Sequence, residues 1–214
     1  MGVSAAQSLC FQCTEGEFAF DSARSLGLYG GVLRALILQL KFHRRERLGE
    51  RLGARLAEIW DPLGGACGDG RTLLVPVPLH GSRERERGFN QSALLAGGLS
   101  HALARTHGGA GIEARALLRT KATPPQTGLS FSARRENVRG AFSVVEPDWV
   151  RGRVVVLVDD VMTTGSTLSA CAEALKAAGA ERVLALTLAR ATPQFPDREA
   201  MASPGRVDDF GRGR

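Results

Sequence analysis

The chain has 214 residues, 43% of them hydrophobic, with 28 Lys and Arg against 22 Asp and Glu, a formal net charge of +6 and a pI near 9.8. That length can bury a substantial core in one domain or a domain plus a small appendage; no apolar run approaches the ~20 residues of a membrane span, and the charged-then-apolar layout of a signal peptide is not seen at the N-terminus. Four cysteines and no targeting signal make a reducing cytoplasm the expected compartment, while the basic balance suits an anionic ligand or nucleic acid without choosing between them.

Residues 1–30 read as an irregular segment holding Cys10 and Cys13, with room for one short strand. Leu33, Leu36, Ile37 and Leu40 mark one helix face, and Leu48, Leu52, Leu56, Ile59 and Trp60 mark a second. Gly64 to Gly70 is a glycine-rich connector. Leu73 to Val77 is a short buried strand ending in the Pro76-Val77-Pro78 turn. Asn90 is a natural N-cap for a helix carrying Leu94, Leu95, Leu99 and Leu103. Ile112 to Leu118 and Ala141 to Val145 read as strands flanking a basic stretch. Val154 to Val158 has no polar alternation, so both its faces should be covered, as in the centre of a parallel sheet. The next helix carries Leu168, Cys171, Ala172 and Leu175 on one face and stops at Gly179, a natural C′ residue. Val183 to Leu188 is the following strand. The alternation predicts one α/β domain over residues 31–190 with a mainly parallel, doubly wound sheet, preceded by the small 1–30 appendage and followed by a flexible tail at 191–214.

Charge is concentrated in two blocks. Lys41 to Arg55 holds six Lys or Arg against two Glu, and a solvated helix face is its expected role. Arg115 to Arg139 holds six against one Glu, includes Pro124-Pro125, and reads as a long basic loop. The most telling stretch is Val154 to Thr167, in which an apolar strand ends in Asp159-Asp160 and then a hydroxyl- and glycine-rich turn opens a helix. That order suits a sugar phosphate: acids accept hydroxyls, and a helix start presents backbone N–H groups to a phosphate. A plain strand-turn-helix with solvated acids fits two adjacent carboxylates at the end of a fully apolar strand poorly.

The stretch Val154 to Leu168 resembles the phosphoribosyl pyrophosphate (PRPP) motif of type I phosphoribosyltransferases. The wider pattern is similar to the ComF (competence protein F) family over roughly residues 9–190. It runs through Tyr29-Gly30-Gly31-Val32-Leu33-Arg34, Leu40-Lys41-Phe42, Val75-Pro76-Val77-Pro78-Leu79 and Arg87-Gly88-Phe89-Asn90-Gln91. Leu118-Arg119-Thr120, Thr123, Gln126, Arg134-Arg135-Glu136-Asn137-Val138 and Gly140-Ala141-Phe142 complete it. Several motifs in order are far more specific than any one.

The resemblance implies the type I phosphoribosyltransferase fold and a set of site residues. Thr163, Thr164, Gly165, Ser166 and Thr167 are expected to hold the ribose 5′-phosphate. Asp159 and Asp160 are expected on the ribose hydroxyls, with Asp160 also positioning Mg²⁺, through water. Leu79, His80, Arg83 and Arg87 fall at the pyrophosphate loop, although Glu84 and Glu86 leave an exposed charge-alternating loop as the other reading. The stretch Arg119 to Arg139 resembles a catalytic lid whose Arg119, Lys121, Arg134 or Arg135 would stabilise leaving pyrophosphate, with a solvated surface loop as the alternative. The catalytic set is thus Asp159, Asp160, Arg119 and Arg134. Thr163 stands where 6-oxopurine phosphoribosyltransferases place a carboxylate base, which argues against a purine acceptor deprotonated by that route. Cys10 and Cys13 have zinc-ligand spacing but form half a site; beside the zinc ribbon that ComF-like proteins usually carry, the pair is expected to be a remnant, a truncated start or an unliganded pair, with zinc binding as the less favoured reading.

Three roles are implied. The first is Mg²⁺-dependent transfer of ribose 5-phosphate from PRPP. The second is a PRPP- or nucleotide-binding accessory module acting with a competence helicase or single-stranded DNA in DNA uptake. The third is direct DNA binding, which no helix-turn-helix, RNA-recognition or OB-type signature supports. A homodimer is expected by analogy.

Overall fold

The computed structural model describes residues 18–42, 45–63, 70–121 and 137–191. Cys10, Cys13, Arg134, Arg135 and most of the expected lid lie outside the described residues, as do 192–214 of the expected tail.

Five parallel strands form the main sheet in the order β1-β7-β6-β2-β3. They are β1 (Ser22–Leu28), β2 (Thr72–Pro76), β3 (Gly111–Ile112), β6 (Val154–Met162) and β7 (Arg182–Arg190). β4 (Leu117–Arg119) and β5 (Phe142–Val144) make a separate antiparallel pair. The helices are α1 (Gly31–Phe42), α2 (Glu46–Arg55), α3 (Trp60–Leu63), α4 (Gly81–Arg87), α5 (Gln91–Thr106) and α6 (Ser166–Ala177).

The unalternating strands are covered on both faces, as their composition predicts. Val154, Val156 and Val158 of β6, with Leu184, Leu186 and Leu188 of β7, pack under α1, α2 and α5 through Ile37, Leu40, Leu52, Leu95 and Leu99. Val155, Leu157, Val183 and Ala185 turn the other way, onto Leu168, Cys171 and Leu175 of α6 and onto Leu117 and Phe142 of the β4–β5 pair. Each fully buried Leu contributes about 1.5–3 kcal/mol, so neither layer is dispensable. Asn90 caps α5 as expected, accepting from Ser92 N at 3.0 Å while its Nδ2 donates to Val77 O at 3.1 Å. Gly179 takes φ +96° just beyond α6.

Four expectations change. The segment 1–30 ends in β1, which hydrogen-bonds along β7 from Ser22↔Leu184 to Leu28↔Arg190, so the sheet begins before residue 31. The second helix face is three pieces, α2, a 3₁₀ turn at Leu56–Ile59, and α3. The strand expected over 112–118 is two: Gly111–Ile112 pairs with β2, and Leu117–Arg119 joins β5, since a chain turning between them leaves one sheet for the other. The basic block from Lys41 is not one solvated face, because α1 ends at Phe42 and α2 opens after Arg45.

The connections place the site. From β2 the chain passes through α5 to β3 on one side, and from β6 it passes through α6 to β7 on the other. Helices α5 and α6 cover opposite faces. The strand order therefore reverses between β2 and β6, and the crevice at their carboxyl ends is where open α/β sheets take ligands.

Candidate functional site

Both acids lie within β6, which runs on to Met162, with Asp159 in register with Thr187 of β7. Asp159 Oδ1 accepts from the Ser92 hydroxyl at 2.9 Å and from the Asp160 N–H at 2.9 Å. Ser92 is 1% exposed and sits in the first turn of α5, positioned by the Asn90 cap. Asp160 is buried, and its Oδ2 faces Lys41 Nζ at 3.4 Å, with side-chain exposures of 7% and 10%. Burial, and then the neighbouring Asp160 carboxylate, pushes the Asp159 carboxyl up to about 7. The Asp160 N–H, the Ser92 hydroxyl and Lys41 pull the other way.

The turn that follows is built for close approach. Gly165 has φ +79° and is buried, and a methyl there would lie 2.7 Å from Phe18 Cε1 and 3.0 Å from Met162 Cε. Only glycine fits both the conformation and the space. Ser166 opens α6, with its hydroxyl 2.9 Å from Thr164 Oγ1. Thr163, Thr164 and Thr167 are half-buried around this start, and Ser166 is buried. The five expected phosphate residues thus gather at one helix N-terminus, beside the two acids and able to receive an anion.

The pyrophosphate expectation divides. Leu79 and His80 lie in the irregular stretch after β2, but residues 81–87 are the helix α4, not a loop. His80 caps it, accepting from Ser82 N at 3.3 Å, so its ring has a structural task. Arg87 donates to Gln91 Oε1 at 2.9 Å and lies over the Phe42 ring at 5.8 Å. Arg83 is exposed on α4.

Arg119 ends β4 and lies 5.6 Å over Phe142, its partner in the β4–β5 ladder. Burial, then the repulsion of Arg83, lowers its pKa, while Asp159 and Cys171 act oppositely. Cys171 is fully buried, and burial pushes its thiol well up, so it is core and not a nucleophile.

Lys41 and Ser92 are the site residues that sequence reasoning missed. Lys41 belongs to the basic block expected on a solvated face, and the signals against that are its place in the Leu40-Lys41-Phe42 motif and next to Leu40, a core residue of α1. Ser92 carries no signal beyond standing two residues after a cap.

The Mg²⁺ expected at Asp160 can be tested against the donors. Asp160 Oδ2 is paired with the Lys41 ammonium at 3.4 Å without a hydrogen bond, and Asp159 Oδ1 accepts two hydrogen bonds, so a cation already stands beside the oxygen expected to position the metal. Among the described residues no group of three or more His, Cys, Asp or Glu is placed to hold a metal ion. Among them also, no helix is long and apolar enough to cross a membrane.

The phosphoribosyl transferase domain model matches residues 114–204. DNA utilization protein YhgH of Escherichia coli is 36% identical over 85% of this chain and 77% of its own length. Competence protein F of Haemophilus influenzae is 34% identical over 85% of this chain and 78% of its own. Among solved structures, the glutamine PRPP amidotransferase of B. subtilis is similar at 23% identity and a TM-score of 0.41, over 65% of this chain and 25% of that one.

Proposed function

The chain belongs to the family of competence protein F and the YhgH DNA utilization proteins, with the α/β fold and domain of a type I phosphoribosyltransferase, and from that premise we propose that it binds PRPP and transfers its ribose 5-phosphate to an acceptor in DNA utilization or competence. The observation that carries this reading is the continuity of the site. A central strand carries Asp159 and Asp160 after its apolar run, and the chain continues through Gly165, at φ +79°, into the N-terminus of α6. The 5′-phosphate would take the backbone N–H groups and hydroxyls of Thr163 to Thr167, and the ribose hydroxyls would face Asp159 and Asp160. Arg119 and Arg83 would neutralise the diphosphate. The acceptor's nucleophile would bond to C1 on the face opposite the departing pyrophosphate, with inversion and loss of its proton to solvent, and those arginines would stabilise the negative charge that builds on the leaving group as C1 becomes oxocarbenium-like. Arg87, tied to Gln91 and Phe42, supports the wall instead. Mg²⁺ belongs to the proposal only as a companion of the ligand, because Lys41 already engages Asp160. A competence helicase or single-stranded DNA is the proposed cytoplasmic partner, and the proposed oligomer is a homodimer.

The test begins with thermal unfolding in PRPP. At a hundredfold excess over Kd the ligand should stabilise the fold by ~2.7 kcal/mol. Asp160→Asn should remove most of that shift. Pyrophosphate release across a panel of bases and amines then separates transfer from binding alone. A shift with no release from any acceptor would support a PRPP-binding module instead. No shift in wild type would refute the site.

A further inference from the structure

Lys41 and Asp160 form a buried ion pair at the carboxyl end of the sheet. Lys41 is the penultimate residue of α1, and Ile37 and Leu40, both buried, fix that helix against the sheet. Its Nζ stands 3.4 Å from Asp160 Oδ2, and both side chains are at least nine-tenths buried. Lys41 also acts electrostatically on Asp159. A buried ion pair loses so much hydration that apolar replacements often match or exceed its stability. Stability alone therefore does not account for one at the carboxyl end of the sheet.

The chemistry of the site does. An Asp160 carboxylate beside the ribose hydroxyls would repel a diphosphate on the same sugar, and a cation between them offsets that repulsion. Lysine is a compact point charge with three N–H donors on a flexible stem, so one ammonium can bridge a carboxylate and a phosphate oxygen. Resting on the PRPP reading above, we propose that Lys41 is the built-in counter-ion of this site. It holds Asp160 in place and bridges it to the bound diphosphate, so that PRPP binds without a divalent cation.

Calorimetric titration with PRPP, in EDTA and in excess Mg²⁺, tests this. Wild type should change its Kd by less than about threefold between the two conditions. Lys41→Met should weaken binding in EDTA by about 10- to 100-fold, the range for losing a hydrogen bond to a charged group. Mg²⁺ should restore it to within about threefold of wild type, which a purely structural role for Lys41 would not produce. Lys41→Met with Asp160→Asn leaves no unpaired buried charge and should keep the wild-type circular dichroism while binding weakly in EDTA. The proposal is overturned if wild type binds in Mg²⁺ but loses more than about tenfold in EDTA. It is also overturned if either variant binds in EDTA like wild type. If wild type binds PRPP under neither condition, the phosphoribosyl reading itself is wrong and the role of Lys41 falls with it.

Discussion

Helices α2 and α5 touch backbone to backbone, and one methyl group measures how much that contact matters. A Cβ on Gly98 would lie 2.0 Å from the Glu50 carbonyl oxygen, and one on Gly53 would lie 2.1 Å from that of Leu95. Ordinary contact is 3.4–4 Å, so Gly98→Ala forces the helices apart by about 1.4 Å or more. Overpacking costs ~1–3 kcal/mol even where a flexible side chain can yield. Here the obstacle is main chain, so the cost should be at least ~3 kcal/mol, offset by ~1 kcal/mol of improved helix propensity. Gly97→Ala, one residue away with nothing within 4 Å of the new methyl, should gain that ~1 kcal/mol with no cost. The two variants should therefore differ by ~3 kcal/mol in urea unfolding, with Gly98→Ala below wild type and Gly97→Ala above it. Because α5 also carries Ser92 to Asp159, Gly98→Ala should weaken PRPP binding as well. A Gly98→Ala midpoint at or above wild type would refute the close-approach reasoning.

Three further outcomes are expected. The Asp159 carboxyl lies at about 7 when folded, against 3.8 for a free side chain. The native state therefore holds a proton that the unfolded chain releases, and this contribution is full below pH ~4 and disappears as the pH rises through about 7. Its size is on the order of 4 kcal/mol, and unfolding of Asp159→Asn across pH 4–8 should show a flatter profile than wild type. Gly165→Ala must hold a side chain at φ +79° against Phe18 and Met162. It should lose ~2–4 kcal/mol and bind PRPP more weakly by calorimetry, and an unchanged melting temperature would count against the turn geometry. Ser92→Ala removes a 2.9 Å donor from Asp159; it should cost ~1–3 kcal/mol and raise that carboxyl further, read by carbon NMR titration.

What was legible in the sequence followed from burial and from local rules. Val154 to Val158 and Val183 to Leu188 lack polar alternation, which states that both faces are covered, and Asn90 and Gly179 mark helix ends by their own chemistry. The gathering of Thr163 to Thr167 beside the two acids was legible because those residues are consecutive. The partners of the acids were not. Lys41 and Ser92 reach them from 119 and 67 positions away, and a hydrophobic pattern carries no information about which polar side chain meets which across the sheet. The helix at 81–87 was hidden for a different reason: its cap is a histidine, a residue outside the usual N-cap set.

The pairing of β1 has a consequence for how the chain is made. Among the described strands β1 bonds only to β7, and Ser22 meets Leu184, so its partner is synthesised about 160 residues later. At ~5–20 residues per second this strand spends roughly 8–30 s on the ribosome with its ladder unmade. Asp21 follows the same schedule, since its N–H and carboxylate both wait for Val183, at 2.7 Å each. Phe18, three residues before Asp21, is the ring that backs Gly165. The rear wall of the turn at Gly165 is therefore set only once β7 has emerged, and a nascent chain stopped short of β7 carries both acids but no finished turn beside them.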